Sequence, residues 1–508
     1  MSISVHTPLP HAIVPSHECE GAPYAEAIKR YSERDLMRLN VPGHAAGTDA
    51  HLPLARFFGH DLLAKDFTPL LAGIDKGHNS PLIRARNLAA AAWGARTTWF
   101  LTNGASQGNR MIALALATFR DAQQPVVTQR SIHSSFIDGI VLAGLMPAFM
   151  EPSIDHTYGI AHGISPAVLR EQLDRADNPK AAYVISPSYF GATADIAGLA
   201  EVAHAAGVPL IVDAAWGAHY GFHPDLPQNP LALGADLMVS STHKLGGSLT
   251  QSAMLHLGEG EFARELEPLI ERAFNLTQST SNSSLLLASL DLARYTLETG
   301  SELLEASIRT ADEMRAALRR SPHFSIVSDT FDRVDDIVAV DPLRVSIDIS
   351  ATGRDGRTVL EILARDHDIY TEISTDRCIV AIVGLGSTPD VGRLVSTLES
   401  LVLSDAERAL AGESTVENMP PLPPAGPLVA LPRTASLGRA AVVSARDAVG
   451  RVSTDSLAAY PPGIPNLLPG ERITREVIDF LQHVARLPGG YVRGALDPFV
   501  ETVRVVEE

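Results

Sequence analysis

In the first half of the chain, short continuous apolar runs alternate with amphipathic or Ala-rich stretches. Thr98–Leu101, Val126–Thr128, Ala182–Ser186, Val208–Asp213 and Asp236–Ser240 each read as a strand, with helices at Leu82–Ala95, Ser106–Phe119, Ser134–Ala143 and Ile196–Ala206. A strand with one wet face alternates polar and apolar residues. A run that stays apolar throughout is covered on both faces, as in a parallel sheet flanked by helices. The predicted class is α/β. Farther on, Leu285–Leu318 carries a long helical pattern interrupted at Gly300. Arg344–Ile349 and Ile379–Val383 read as strands, and Thr358–His367 and Thr474–Leu487 as helices.

These patterns divide the chain. An N-terminal arm over 1–60, rich in His, Pro and Gly, holds one helix at Tyr24–Tyr31. A large α/β unit spans 61–321 and a smaller α+β unit 322–405. A Pro-rich linker follows over 406–430, with ENMPPLPPAGP at its centre, and a C-terminal domain over 431–508. A Pro-rich stretch cannot build a core, which marks it as a connection.

Composition narrows the function. Of 508 residues, 45% are apolar and 20% charged, enough for sizeable cores. The net charge of -18 excludes the basic footprint of a nucleic-acid-binding body. It is compatible with a cationic substrate, although ordinary solubility accounts for it as well. Cys19 and Cys378 are too few and too distant for a disulfide framework or a metal cluster. His219 and His223 lie four apart without a further ligand in the pattern, so no metal site is expected. Met1–Glu20 lacks the basic and apolar regions of a secretory signal, and the longest apolar stretch, Met111–Phe119, is far too short to span a bilayer. The expected location is the cytoplasm.

Asp213 and Lys244 each close a predicted strand, where α/β sheets bind ligands. Singly, a strand-end acid is a turn or cap residue and a lysine before Gly-Gly is solvated. As a pair they suit pyridoxal phosphate. A Schiff-base lysine needs a neutral amine, and the cofactor's ring nitrogen needs an anion beside it. Asn103-Gly104-Ala105-Ser106 forms a strand–turn–helix with a hydroxyl at the helix start, a phosphate cradle, and Ser241 offers a second hydroxyl.

VPGH at Val41–His44, NGAS at Asn103–Ser106, SIHSS at Ser131–Ser135 and ISPSYFG at Ile185–Gly191 run in order along the chain. VDAAWGAH at Val212–His219, SSTHKLGGSLTQS at Ser240–Ser252, QSTSNSSLLLASLD at Gln278–Asp291 and YPPGIPNLLPGE at Tyr460–Glu471 follow. On these motifs the chain resembles the Orn/Lys/Arg decarboxylase family of fold-type-I pyridoxal-phosphate enzymes, in its short form without an N-terminal wing domain. The resemblance implies that Lys244 forms the Schiff base, Asp213 pairs with the ring nitrogen and His133 stacks on the ring. It implies that Gly104, Ala105, Ser106 and Ser241 bind phosphate and that Trp216 flanks the site. His243 would sit beside the Schiff base, and Ser279–Ser281 near the phosphate of the same or the neighbouring subunit. It further implies decarboxylation of a basic L-amino acid, with a lean to arginine as in polyamine synthesis, in a homodimer or higher homo-oligomer. Ala105, Ser134 and Ala45 depart from the family's Thr, Lys and Lys, as does Gly73–Pro81 from its usual pattern; this leaves substrate identity open. Glu471 is a candidate for the substrate's distal cation. Two alternatives stand: another enzyme of the same fold, such as an aminotransferase with Arg344 as carboxylate clamp, and a catalytically silent regulator.

Overall fold

The computed structural model describes residues 21–47, 52–68, 71, 73–121, 123–404, 421–460, 463–487 and 490–507. The first part of the N-terminal arm, most of the Pro-rich linker and the two prolines of YPPG lie outside the described residues.

The α/β expectation is met by a seven-stranded sheet. Its strands are β1 (Thr97–Leu101), β2 (Val126–Gln129), β3 (Pro147–Met150), β4 (Ala181–Ile185), β5 (Leu210–Asp213), β6 (Leu237–Ser240) and β7 (Ala253–Leu257), in the order β1-β7-β6-β5-β4-β2-β3. The pairs from β6 to β3 are parallel, and β7 runs antiparallel to both β1 and β6. Only β7 is inverted, so its amino end lies beside the carboxyl ends of β1 and β6. That one reversal brings Gln251 and Ser252 to the edge where Asn103, Asp213 and Lys244 emerge.

Helices cover both faces of this sheet. Gly104–Thr118 packs against Ser134–Ala143 so closely that a Cβ on Gly139 would stand 2.7 Å from Ala113 Cβ. The long helical pattern splits into Ser284–Thr299 and Ser301–Arg320, because Gly300 sits over Thr296, where a Cβ would lie 2.5 Å from its carbonyl oxygen.

A four-stranded antiparallel sheet orders Ser325–Ile326, Arg344–Asp348, Cys378–Ile382 and Ile373–Ser374. It shares an apolar core with Ser301–Arg320, Gly356–His367 and Val391–Ser400. Ile337–Val340 leaves this unit to pair with Ala192–Ala194 of the large one. The C-terminal residues form two small sheets around the helix Arg475–Arg486, with their own core of Leu467, Val477, Leu481 and Val505. Among the described residues no helix is long and apolar enough to cross a membrane.

Candidate active site

Asp213 ends β5 and is 2% exposed. Its Oδ2 accepts from Asn109 Nδ2 and from Tyr183 Oη, each at 3.0 Å, and its Oδ1 accepts from the Ala215 amide at 3.0 Å. Burial and the adjacent carboxylate push the Tyr183 phenol well above its ordinary pKa, so it stays a donor. Three neutral donors satisfy the carboxylate without adding a cation that would cancel its charge.

A hydrogen-bond chain continues from Asp213. Asn109 Nδ2 also donates to Ser135 Oγ at 3.0 Å, and Ser135 Oγ lies 2.7 Å from His133 Nδ1. His133 Nδ1 also accepts from the Ser135 amide at 3.2 Å, capping the helix Ser134–Ala143. Burial lowers the His133 pKa, with Asp213 opposing. A neutral ring that accepts at Nδ1 carries its proton on Nε2. His133 is therefore both a helix cap and a wall of the cavity described below.

Lys244 sits in the helical turn Thr242–Leu245, directly after β6. Its Nζ lies 3.9 Å from the Trp216 ring centroid and 6.0 Å from that of Tyr189. Burial pushes its pKa down to about 8, against the pull of Asp213, and Arg344 adds to the lowering. We predict that apoenzyme capture of pyridoxal phosphate accelerates as pH rises through about 8, because only the free base attacks an aldehyde. Stopped-flow absorbance reads this; a flat profile from pH 7 to 9 contradicts it. His243 Nδ1 lies 2.8 Å from the Ser252 carbonyl oxygen, to which it donates, leaving Nε2 free.

The phosphate turn differs in one detail from expectation. Gly104 has φ +71, the left-handed value that turns β1 into the helix, and its amide donates to Gln251 O at 2.7 Å. It shapes the cradle but has no free N–H. The amides of Ala105 and Ser106 have no partner among the described residues, and Ser241 is buried alongside Lys244's turn. Trp216 Nε1 is buried and unpartnered. Two open amides at a helix N-terminus, an orphaned indole donor, a low-pKa lysine and a satisfied carboxylate suit the phosphate, aldehyde and ring of pyridoxal phosphate.

A cavity of about 680 Å³ begins at His133 and Tyr189. The small unit walls it with Asp355, Glu372 and Asp376, and the C-terminal unit with Tyr460, Tyr491 and Arg493. Glu372 stands near enough for its charge to act on Lys244.

The expectation for Glu471 is corrected. Glu471 does not face the cavity's acids as a cation site: it is buried in a pair with Arg130, Oε1 to NH1 at 2.6 Å and Oε2 to NH2 at 2.9 Å. Ser279 and Ser281 are exposed and bond each other at 3.3 Å. His219 and His223 take separate partners, Asp341 at 3.1 Å and Glu305 at 3.1 Å, and His223 also meets Asp225 at 3.8 Å. Sequence reading missed Asn109, Ser135, Tyr183, Tyr189 and Glu372. Asn109 lies four residues after Ala105, one helical turn along, and that spacing was the available signal for it.

Residues 22–390 match the Orn/Lys/Arg decarboxylase major domain, and residues 412–489 match the C-terminal domain of the same family. The chain belongs to the Orn/Lys/Arg decarboxylase family. Over 96% of its length it is 32% identical to an arginine decarboxylase of Bacillus anthracis, covering 97% of that protein. It is equally similar to one of Bacillus subtilis, of which 98% is covered. The lysine decarboxylase of Francisella novicida has the same fold, with a TM-score of 0.81 at 21% identity over 96% of this chain and 81% of that one. This family member is a pyridoxal-phosphate-dependent carboxy-lyase acting on a basic L-amino acid.

Proposed function

We propose that the chain converts L-arginine to agmatine and CO2. The near full-length likeness to proteins named arginine decarboxylase carries the choice of substrate. Lys244 is the covalent anchor and Asp213 the partner of the ring nitrogen. Ala105, Ser106 and Ser241 hold the phosphate. Bound pyridoxal phosphate supplies the electron sink for the pair left when the bond between Cα and the carboxylate breaks. Lys244 Nζ would return a proton to Cα, and His243 Nε2, which keeps its lone pair while Nδ1 donates to the Ser252 carbonyl, is the neighbouring base. His133, fixed by Ser135 and Asn109, packs the ring and keeps water from its face. The C-terminal residues Tyr460 and Tyr491 close the far side.

The distal guanidinium needs carboxylates, and the cavity supplies them on the small-unit wall. Glu372 is the residue we assign to it, since its charge already reaches the Lys244 position. Glu372→Gln should raise KM for arginine by roughly 10- to 100-fold, the loss of one hydrogen bond to a charged group, with a smaller effect on kcat. Steady-state kinetics read the split; an unchanged KM removes Glu372 from the substrate site.

The deciding assay offers arginine, lysine and ornithine to the purified enzyme and measures amine and CO2. Agmatine release with arginine preferred supports the proposal. Consumption of a keto acid without CO2 refutes it. The reading includes a homodimer or higher homo-oligomer in the cytoplasm; light scattering after size exclusion tests the assembly.

A further inference from the structure

Arg344 opens the small-unit strand Arg344–Asp348. It is fully buried. Its NH1 donates to Ser188 O and its NH2 donates to Trp216 O at 2.6 Å. Its Nε lies 3.2 Å from Asp341 Oδ2, in ion-pair contact without hydrogen-bond geometry. Asp341 is buried too, bonded to His219 and to the Leu343 amide. Burial alone would raise the Asp341 pKa, but His219 and Arg344 hold it below its ordinary value, so it remains an anion. The guanidinium carbon of Arg344 stands 4.8 Å from the Trp216 ring centroid, and Lys244 Nζ stands 3.9 Å from the same centroid.

A carboxylate clamp must present its fork to the substrate. Arg344 instead spends its fork on two backbone carbonyls of the large unit. Ser188 and Trp216 belong to separate loops, after β4 and β5, and Arg344 comes from the other unit. One side chain thus ties three segments together behind the reactive amine. A planar fork with fixed donor directions suits that task; a lysine reaches one carbonyl at a time.

We propose that Arg344 is a positioning residue, a strut that holds the Trp216 indole against Lys244 and locks the small unit to the floor of the site. The proposal rests on the reading of Lys244 as the reactive amine. With its fork taken by two carbonyls, Arg344 is not the carboxylate clamp that the aminotransferase alternative would use.

The test uses the full-length parent, R344K and R344Q. In the apoenzymes, Lys244 acylation by an amine-reactive reagent is followed against pH by peptide mass spectrometry. The parent midpoint is expected near pH 8, where burial places the Lys244 amine. R344Q removes a neighbouring positive charge and frees the indole, so its midpoint should rise by roughly half a pH unit or more; R344K keeps the charge and should move less. With cofactor bound and arginine as substrate, both variants should lose about tenfold or more in kcat while KM stays within about threefold. A KM rise of about tenfold with kcat retained would make Arg344 a clamp and overturn the proposal. An unchanged R344Q midpoint would reduce Arg344 to a support of the fold and overturn it too. If R344Q does not fold, the kcat–KM split in R344K decides. If the parent releases no CO2 from arginine, the decarboxylase reading fails, while the acylation arm still judges the strut.

Discussion

Lys244→Ala should fold like the parent and lose at least about 10³-fold in decarboxylation, roughly 4 kcal/mol of transition-state stabilisation. The argument begins with the amine. Nζ stands over the Trp216 ring, largely out of water, with its pKa pushed down to about 8. A lysine in water is almost wholly protonated at neutral pH and attacks no aldehyde. Here burial favours the free base, and no other described lysine follows a strand end with Asp213 beside it. Lys180, the other lysine whose pKa burial lowers, donates to Leu116 O at 3.0 Å on a different part of the sheet. Removing Lys244 therefore removes the covalent anchor rather than one of several. Borohydride treatment followed by peptide mapping should find cofactor fixed on the Lys244 peptide of the parent and none in the variant. Retained fixation, or activity above about one per cent, would place the anchor elsewhere. A parent that is colourless and traps no cofactor would favour the silent-regulator alternative.

Much of this site is local, and local features are legible. Asp213 and Lys244 end apolar runs, and Asn103–Ser106 is a turn signal between a strand and a helix, so each is visible within ten or so residues of sequence. The interruption at Gly300 was legible for the same reason. What escaped depends on partners far apart in the chain. AMLHL at β7 is a short apolar run whose direction nothing nearby specifies, yet its reversal supplies Gln251 and Ser252 to the site. The resemblance implies that Gly104 donates to phosphate, whereas Gln251, 147 positions later, already occupies its amide. Tyr183 and Asn109 meet Asp213 only because β4 neighbours β5 and the helix after β1 crosses beneath them. Arg344 could be read from sequence as a clamp, and only the two carbonyls on its fork show otherwise.

Glu471→Ala is expected to destabilise the protein by about 3–5 kcal/mol, the cost of leaving a buried charge unpaired. Glu471 and Arg130 are both almost fully buried and meet through two parallel bonds of 2.6 and 2.9 Å. The remaining capacity is also used: Arg130 Nε donates to Pro465 O at 2.9 Å, and Glu471 Oε2 accepts from the Leu468 amide at 2.9 Å. Alanine leaves the buried Arg130 guanidinium between the large unit and the C-terminal unit without its carboxylate partner. The weakness should appear first at that junction, as early proteolysis after Pro465 and a lowered thermal midpoint. A paired R130M/E471L variant should recover most of the loss, because an apolar pair of similar volume avoids desolvating two charges. KM separates this from the expectation that Glu471 binds the substrate's distal cation. That role would raise KM and leave stability alone. A tether lowers stability first, and changes KM only as Tyr460, Tyr491 and Arg493, carried by the same unit, lose their place at the cavity wall. A variant with unchanged melting and a KM raised about tenfold would return Glu471 to the substrate.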